Sequence, residues 1–173
     1  TTIAAYFQIL EDCLIAERID PITQSLTRKK LTKSSRYIIF DLGVRRLCAK
    51  EGIATTPTRK GELFEQMVGL ELIREGRLAK PKATIKFWRD ADGPEVDWVV
   101  QQGNNWQAIE VKWSEAPKEK DIGHLKVFLA EYPQTQAGHI ICRTPRKYQM
   151  AEKIWALPWQ EIPELFKPAE KPS

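Results

Sequence analysis

The chain has 173 residues, 42% of them hydrophobic, and carries 27 Lys and Arg against 23 Asp and Glu, a formal net charge of +4. This length is typical of one domain with a small appendage, and it supports a core that needs no disulfide or metal staple. Because no apolar run approaches the roughly 18 to 20 residues of a membrane span and no secretory signal opens the chain, we expect a cytoplasmic protein without membrane contact.

Cysteine and histidine are too sparse for the chemistry of soft metal ions. The chain has 3 widely separated cysteines and 2 histidines, which argues against a disulfide framework and a thiolate zinc site. Carboxylates are abundant instead, and such hard oxygen ligands suit Mg²⁺. The chain begins at Thr1 rather than Met, so we also expect it to be part of a longer protein.

The first third of the chain is predicted to form a basic module. Apolar residues recur every three or four positions over residues 2–16, which predicts an amphipathic helix with one buried stripe: Ile3, Tyr6, Phe7, Leu10, Cys13 and Leu14. Short strands are predicted at residues 14–19 and 37–40. A helix followed by a hairpin is the order of elements in the second half of a winged helix.

A basic segment connects these two strands. Residues 1–60 hold 11 Lys and Arg against 6 Asp and Glu, and the surplus includes Arg28, Lys29, Lys30, Lys33 and Arg36. Two interpretations stay open for this segment. It is either a solvated loop between strands or a contact surface for nucleic-acid phosphates.

Helix-capping and linker-forming residues indicate a domain boundary near residue 58. Asp41 is a candidate N-cap for a helix that ends near Lys50, and Gly52 with the run Thr55–Thr58 is typical of a linker. We therefore predict a winged-helix-like module over residues 1–58, a second domain over 59–166 and a flexible tail over 167–173. The second domain is predicted to contain, in order, a helix (61–75), three strands (84–89, 95–101 and 106–113), a helix (120–131) and a strand (139–143), an α/β (α+β) arrangement.

Two of these strands carry carboxylates that face each other. A two-residue loop at Gly103 and Asn104 would place Trp98 opposite Ile109. The same register places Asp97 opposite Glu110, where two like charges destabilise the sheet unless something compensates them.

Two explanations for the facing carboxylates stay open. A bound cation would compensate both charges. Alternatively, one carboxyl is protonated or both turn into water, with Glu95 and Lys112 forming an ordinary surface ion pair. Strand alternation also places Val96, Trp98 and Val100 on one face, and it predicts that Trp98 and Trp113 belong to the core rather than contacting bases.

The acidic motif has the context of a known superfamily. Asp97, followed on the next strand by Glu110–Val111–Lys112 and preceded by a helix that carries Glu65, resembles the PD-(D/E)XK nucleases. Their restriction-endonuclease-like core consists of a helix, an antiparallel strand trio, a helix and a further strand. The segment Gly61–Glu65 is similar to the opening of the archaeal Holliday-junction resolvases.

This resemblance implies a set of roles. Glu65, Asp97, Glu110 and Lys112 would be catalytic, and the cofactor would be Mg²⁺, with Mn²⁺ as an alternative. Asp97, Glu110 and the carbonyl of Val111 would hold the ion, while Glu65 would act through water or a second ion. Lys112 would orient the attacking water or stabilise the developing charge.

A second resemblance covers about residues 5–130. Segments such as Tyr37–Gly43, Lys86–Arg89 and Glu95–Asp97 are similar to the carboxyl-terminal domain of many prokaryotic AAA+ ATPases. This resemblance implies an ATPase domain in the same full-length protein, a DNA partner and compatibility with an oligomer. The chain has no GxxxxGK[ST] phosphate loop, so we do not expect it to bind ATP by that route.

Three functions therefore compete. The first is a Mg²⁺-dependent nuclease that hydrolyses DNA phosphodiesters, attached to an ATPase. The second is a catalytically silent nuclease fold that serves its ATPase as a nucleic-acid or protein interaction module. The third is a winged-helix regulator with an unrelated second domain.

Overall fold

The computed structural model describes residues 2–25, 31–52, 55–91 and 93–167. Its helices and strands are α1 (Thr2–Asp12), β1 (Ala16–Ile19), β2 (Arg36–Ile39), α2 (Leu42–Cys48), α3 (Pro57–Leu78), β3 (Thr84–Arg89), β4 (Glu95–Gln102), β5 (Asn105–Val111), α4 (Gly123–Glu131), β6 (Thr135–Cys142), β7 (Tyr148–Ala151) and β8 (Ile154–Pro158). Two 3₁₀ helices, Glu119–Ile122 and Trp159–Phe166, precede α4 and follow β8. Within these ranges no helix is long and apolar enough to cross a membrane.

A six-stranded mixed sheet, in the order β3-β4-β5-β6-β8-β7, lies between helices on both faces. β3, β4 and β5 form an antiparallel trio, and β6 runs parallel to β5 because α4 carries the chain back across the sheet. α3 buries Phe64, Val68 and Leu72 on one face, and α4 buries Leu125 and Phe128 on the other. The succession of helix, three antiparallel strands, helix and strand confirms the predicted fold class.

α3 begins earlier than predicted. The side chain of Thr56 caps the helix by accepting a hydrogen bond from the Arg59 amide, and Pro57 occupies the first turn. Proline suits that position because the first helical N–H groups have no intrahelical partner. The interpretation of Pro57 and Thr58 as linker is therefore wrong, while the division of the chain into two domains near residue 58 stays a prediction.

The apolar stripe of α1 is exposed. The predicted helix is present, but Ile3 is 72% exposed, Tyr6 63% and Leu14 81%. Phe7 stacks on Tyr37 of β2, with ring centroids 4.3 Å apart. The prediction of a helix is confirmed, and the prediction that its apolar stripe is buried is wrong. Periodicity identifies an apolar face but does not show what covers it.

β1 and β2 form a separate two-stranded sheet that is tied to the edge of β3. The Ile22 amide donates to the Phe87 carbonyl at 2.8 Å, and the Thr32 amide donates to the Arg89 carbonyl at 2.9 Å. The chain is thus fixed to the central sheet before the basic segment, at Ile22, and within it, at Thr32. A helix followed by paired strands is present as predicted, and its interpretation as part of a winged helix stays a prediction.

His139 is a buried titratable group in the centre of the sheet. It is 4% exposed on β6, and its Nε2 lies 3.1 Å from Oε1 of Gln107. Burial, reinforced by the positive charge of Lys147, lowers the pKa of His139 from 6.5 to about 4. The folded chain therefore keeps this imidazole neutral over a pH range in which the unfolded chain protonates it.

The substitution His139→Gln is expected to remove a pH-dependent loss of stability. As the pH falls from 6.5 to about 4, the unfolded state takes up a proton that the folded state excludes, so the free energy of unfolding of the wild type falls by roughly 3 kcal/mol. Urea denaturation of both proteins at several pH values measures the difference between them, which isolates His139 from the other titrating groups. An unchanged difference between pH 7 and pH 4 would contradict this account.

Candidate active site

The turn at Gly103 and Asn104 sets the register of β4 against β5 as predicted. Gly103 has a φ of +61°, a conformation that glycine adopts without steric cost. Trp98 pairs with Ile109, which confirms the predicted register, and the ladder ends at this pair. Asp97 and Glu110 thus lie immediately beyond the last paired residues.

β4 carries one extra residue where it passes β3. Lys86 pairs with Val99, and the next pair is Trp88 with Val96. Two residues of β4, Asp97 and Trp98, therefore lie opposite one residue of β3, Phe87. Such a bulge interrupts the alternation of side chains. Trp98 joins the core beneath α3, whereas Val96 joins the core beneath α4. The prediction that Val96 and Trp98 share a face is wrong for this reason.

The bulge places the Asp97 side chain at the end of β5. Its Oδ2 accepts a hydrogen bond from the Val111 amide at 2.8 Å. Burial raises the pKa of Asp97, while the hydrogen bond from Val111 and the charges of Lys112 and Arg36 oppose the rise. Asp97 is therefore a partly buried carboxyl that the backbone of β5 holds in position.

Glu110 and Lys112 form a partly buried ion pair near Asp97. Lys112 Nζ lies 2.7 Å from Glu110 Oε1, and Glu110 is 5% exposed. Burial raises the pKa of Glu110 to about 8, and the Asp97 carboxylate adds to the rise. The second oxygen of Glu110, Oε2, is buried and has no hydrogen-bond partner within the described ranges. The alternative pairing of Glu95 with Lys112 is wrong, because Glu95 pairs with Arg89 at 3.4 Å.

Glu65 joins the group from α3, and Arg36 joins it from β2. Arg36 Nη1 lies 3.3 Å from Glu65 Oε1, and its Nη2 donates a hydrogen bond to the Asp97 carbonyl. The guanidinium also lies over the rings of Phe87 and Trp98, at 4.2 and 4.7 Å from their centroids. Burial raises the pKa of Glu65 to about 7, and the Asp97 charge contributes to the rise.

The predicted nucleic-acid contacts occupy different environments. Arg28, Lys29 and Lys30 lie outside the described residues, and Lys33 is exposed. Arg36, predicted as a phosphate contact, is half-buried among the candidate catalytic carboxyls instead. Its contact with Asp97 spans 61 positions, and no local motif signals a contact of that range.

The two tryptophans near the site differ. Trp98 is buried, as predicted, but Trp113 is 41% exposed, so its assignment to the core is wrong. The Trp113 ring meets Phe64 edge-on at 5.2 Å, and the Arg143 guanidinium lies 4.3 Å from its centroid. The apolar face of β5 therefore ends at Val111.

The site contains residue types that bind small hard cations. Three carboxyls, Glu65, Asp97 and Glu110, share the site with two cations, Arg36 and Lys112, so full ionisation leaves an excess negative charge. In the part of the chain that the structure describes, no group of three or more His, Cys, Asp or Glu side chains is arranged to hold a metal ion. Mg²⁺, however, is usually bound through one or two carboxylates, and Glu110 Oε2 is a buried acceptor without a donor.

Comparison with known proteins assigns the sequence to a family. The family model described as Domain of unknown function (DUF4143) matches residues 60–162. No curated protein matches the chain. Among solved structures, one match is a chain of the refined half-complex from a tetradecameric assembly of Thermococcus gammatolerans McrB AAA+ hexamers with bound McrC. The identity is 18% and the TM-score 0.41, over 56% of this chain and 26% of that chain, so this chain spans about a quarter of the length of the one it matches.

Proposed function

We propose a function for this chain, which belongs to the family described as domain of unknown function DUF4143, from the chemistry of the site itself. The proposed function is Mg²⁺-dependent hydrolysis of phosphodiester bonds in DNA. The observation that carries the proposal is the buried Oε2 of Glu110, which has no hydrogen-bond partner among the described residues and lies near a second carboxyl, Asp97. A buried carboxylate oxygen without a partner is costly. A divalent cation would remove that cost and the repulsion between the two carboxyls together.

The side chains have separate roles in this proposal. Asp97 and Glu110 would hold Mg²⁺ with the Val111 carbonyl, and Mn²⁺ would be an alternative ion. When bound, the ion supplies positive charge against the phosphoryl oxygens. Lys112, anchored 2.7 Å from Glu110 Oε1, would stabilise the negative charge that develops on the phosphoryl group. Glu65 would support the site through water or a second ion.

The molecular context is part of the proposal. The resemblance of residues 5–130 to the carboxyl-terminal domain of AAA+ ATPases supports an ATPase domain in the same full-length protein, which would act in the cytoplasm. DNA would be the substrate, and an assembly of several copies is compatible with such a partner. The basic residues Arg28, Lys29, Lys30 and Lys33 would add affinity for the phosphate backbone.

Mg²⁺ or Mn²⁺ is expected to raise the Tm of the wild type and not that of Asp97→Ala. An ion at a hundred times its Kd contributes about 2.7 kcal/mol, which corresponds to roughly 5 to 10 °C for a chain of this size. Thermal unfolding of EDTA-treated protein with added ion measures the shift. The exposed variant Glu152→Ala, in the turn between β7 and β8, should keep it.

A catalytically silent site is the second candidate, and one observation favours it. Lys112 and Arg36 already contact Glu110 and Glu65, and they lower the charge imbalance without a metal. If the site is silent, neither ion should change the Tm of the wild type. Glu110→Gln should then be at least as stable as the wild type. A thermal response in the wild type that Asp97→Ala loses would instead favour the nuclease.

A further inference from the structure

A second charged cluster lies where α2 leads into α3. Three arginines surround the side chain of Glu51, which is 7% exposed: Arg59 at 3.2 Å, and Arg45 and Arg46 at 3.9 Å each. Among the residues that the structure describes, neither oxygen of Glu51 has a hydrogen-bond partner. Buried carboxylates are normally hydrogen-bonded, so this one is held by charge alone. Arg46 Nη2 donates instead to the Gly52 carbonyl at 2.8 Å.

The cluster carries a surplus of positive charge on its outer side. Arg45 also lies 3.6 Å from Glu62, and Arg59 donates a hydrogen bond to that carboxylate. Three cations therefore face two anions. The arginine side chains are 22% to 37% exposed, whereas the Glu51 side chain is 7% exposed and lies beneath them. Guanidinium forks match the geometry of phosphate oxygens.

The cluster adjoins the carboxyl group described above. Arg45 and Glu62 line a cavity of about 240 Å³ together with Arg36 and Glu65. A polyanion lying across the three arginines would thus reach the mouth of the cavity that contains Glu65. A basic surface beside an acidic centre is the arrangement that a nuclease needs to hold a phosphate backbone near its metal site.

We propose that Arg45, Arg46 and Arg59 form a binding site for the backbone phosphates of a nucleic acid, with Glu51 as the buried anchor that orients the three guanidinium groups. The proposal rests on the proposed function for its substrate and names the surface that holds it. Binding at this surface requires no divalent ion, because the arginines supply the charge.

The test measures binding of a fluorescein-labelled duplex oligonucleotide in EDTA, as a function of salt. Arg45→Ala, Arg46→Ala and Arg59→Ala are each expected to weaken binding about five- to tenfold and to lower the slope of log K against log[salt] by about 1. The matched control is Arg74→Ala. It removes the same charge from an ion pair with Glu71 on α3, the helix that carries Arg59. Wild-type affinity and slope in all three variants, or an equal loss in the control, would overturn the proposal.

Two further arms keep the test decisive. Because a missing arginine leaves Glu51 less compensated, each substitution is repeated with Glu51→Gln; binding weaker than that of Glu51→Gln alone supports the site, and equal binding overturns it. Inorganic phosphate at matched ionic strength should not displace the duplex, whereas displacement would assign the cluster to free phosphate. Since EDTA prevents cleavage, failure of the hydrolase proposal leaves these results unaffected.

Discussion

Lys112→Ala is expected to abolish Mg²⁺-dependent cleavage of DNA while leaving binding largely intact. The ammonium group lies 2.7 Å from Glu110 Oε1, next to the carboxyls that would hold the ion. Removing one group that stabilises charge in a transition state costs about 10²- to 10³-fold in rate. Labelled branched, single-stranded and duplex DNA, incubated with Mg²⁺ and resolved on denaturing gels, would show the loss.

A second lysine of the same chain serves as the control for the loss of one positive charge. Lys126 is exposed on α4, so Lys126→Ala removes one positive charge without touching the carboxyls and should cleave like the wild type. Circular dichroism of Lys112→Ala verifies that the fold persists, since the substitution leaves Glu110 without its partner. Cleavage at the wild-type rate by Lys112→Ala would exclude the proposed role of this residue.

Gly69→Ala is expected to destabilise the protein by about 3 kcal/mol. A Cβ at this position of α3 would lie far inside van der Waals contact with Cζ2 and Cη2 of Trp98, and 3.0 Å from Cδ1 of Ile38. Relief is difficult because the Trp98 ring is buried and the Arg36 guanidinium lies over it. Urea denaturation monitored by tryptophan fluorescence measures the loss.

The same substitution earlier in α3 should have the opposite sign. Apart from its chain neighbours and the backbone of its own helix, no described residue lies within 4 Å of a Cβ built at Gly61. Gly61→Ala should therefore raise the free energy of unfolding by about 0.5 to 1 kcal/mol, because alanine loses less conformational entropy in a helix than glycine. Equal effects at the two positions would show that contact with Trp98 does not decide the outcome at Gly69.

Much of the fold follows from local patterns in the sequence. The two-residue loop at Gly103 and Asn104 predicts the pairing of Trp98 with Ile109, and Asp41 predicts the start of α2, where it caps the Val44 amide. The sequence does not predict β7 and β8, because the apolar run Ile154–Leu157 is too short for its periodicity to distinguish a strand from a helix. The exposure of the α1 stripe also escapes prediction, since periodicity does not identify a helix's neighbours.

The candidate site was predictable in its residue types and less so in its arrangement. Asp97, Glu110 and Lys112 follow from a motif on adjacent strands, but the partner of Lys112 is Glu110 and not Glu95. Arg36 enters the site through contacts with Glu65 and with residues of β3 and β4 that lie far away along the chain. Such contacts depend on how β2 is held against the central sheet, and a single sequence carries no pattern for that.

The extra residue in β4 bears on how relatives of this chain are compared. Asp97 reaches the end of β5 only because two residues there occupy the space of one. In a homologue without that insertion, an aspartate aligned to the same column would point to the opposite side of the sheet. Conservation of the letter alone would then be a poor guide to inherited chemistry.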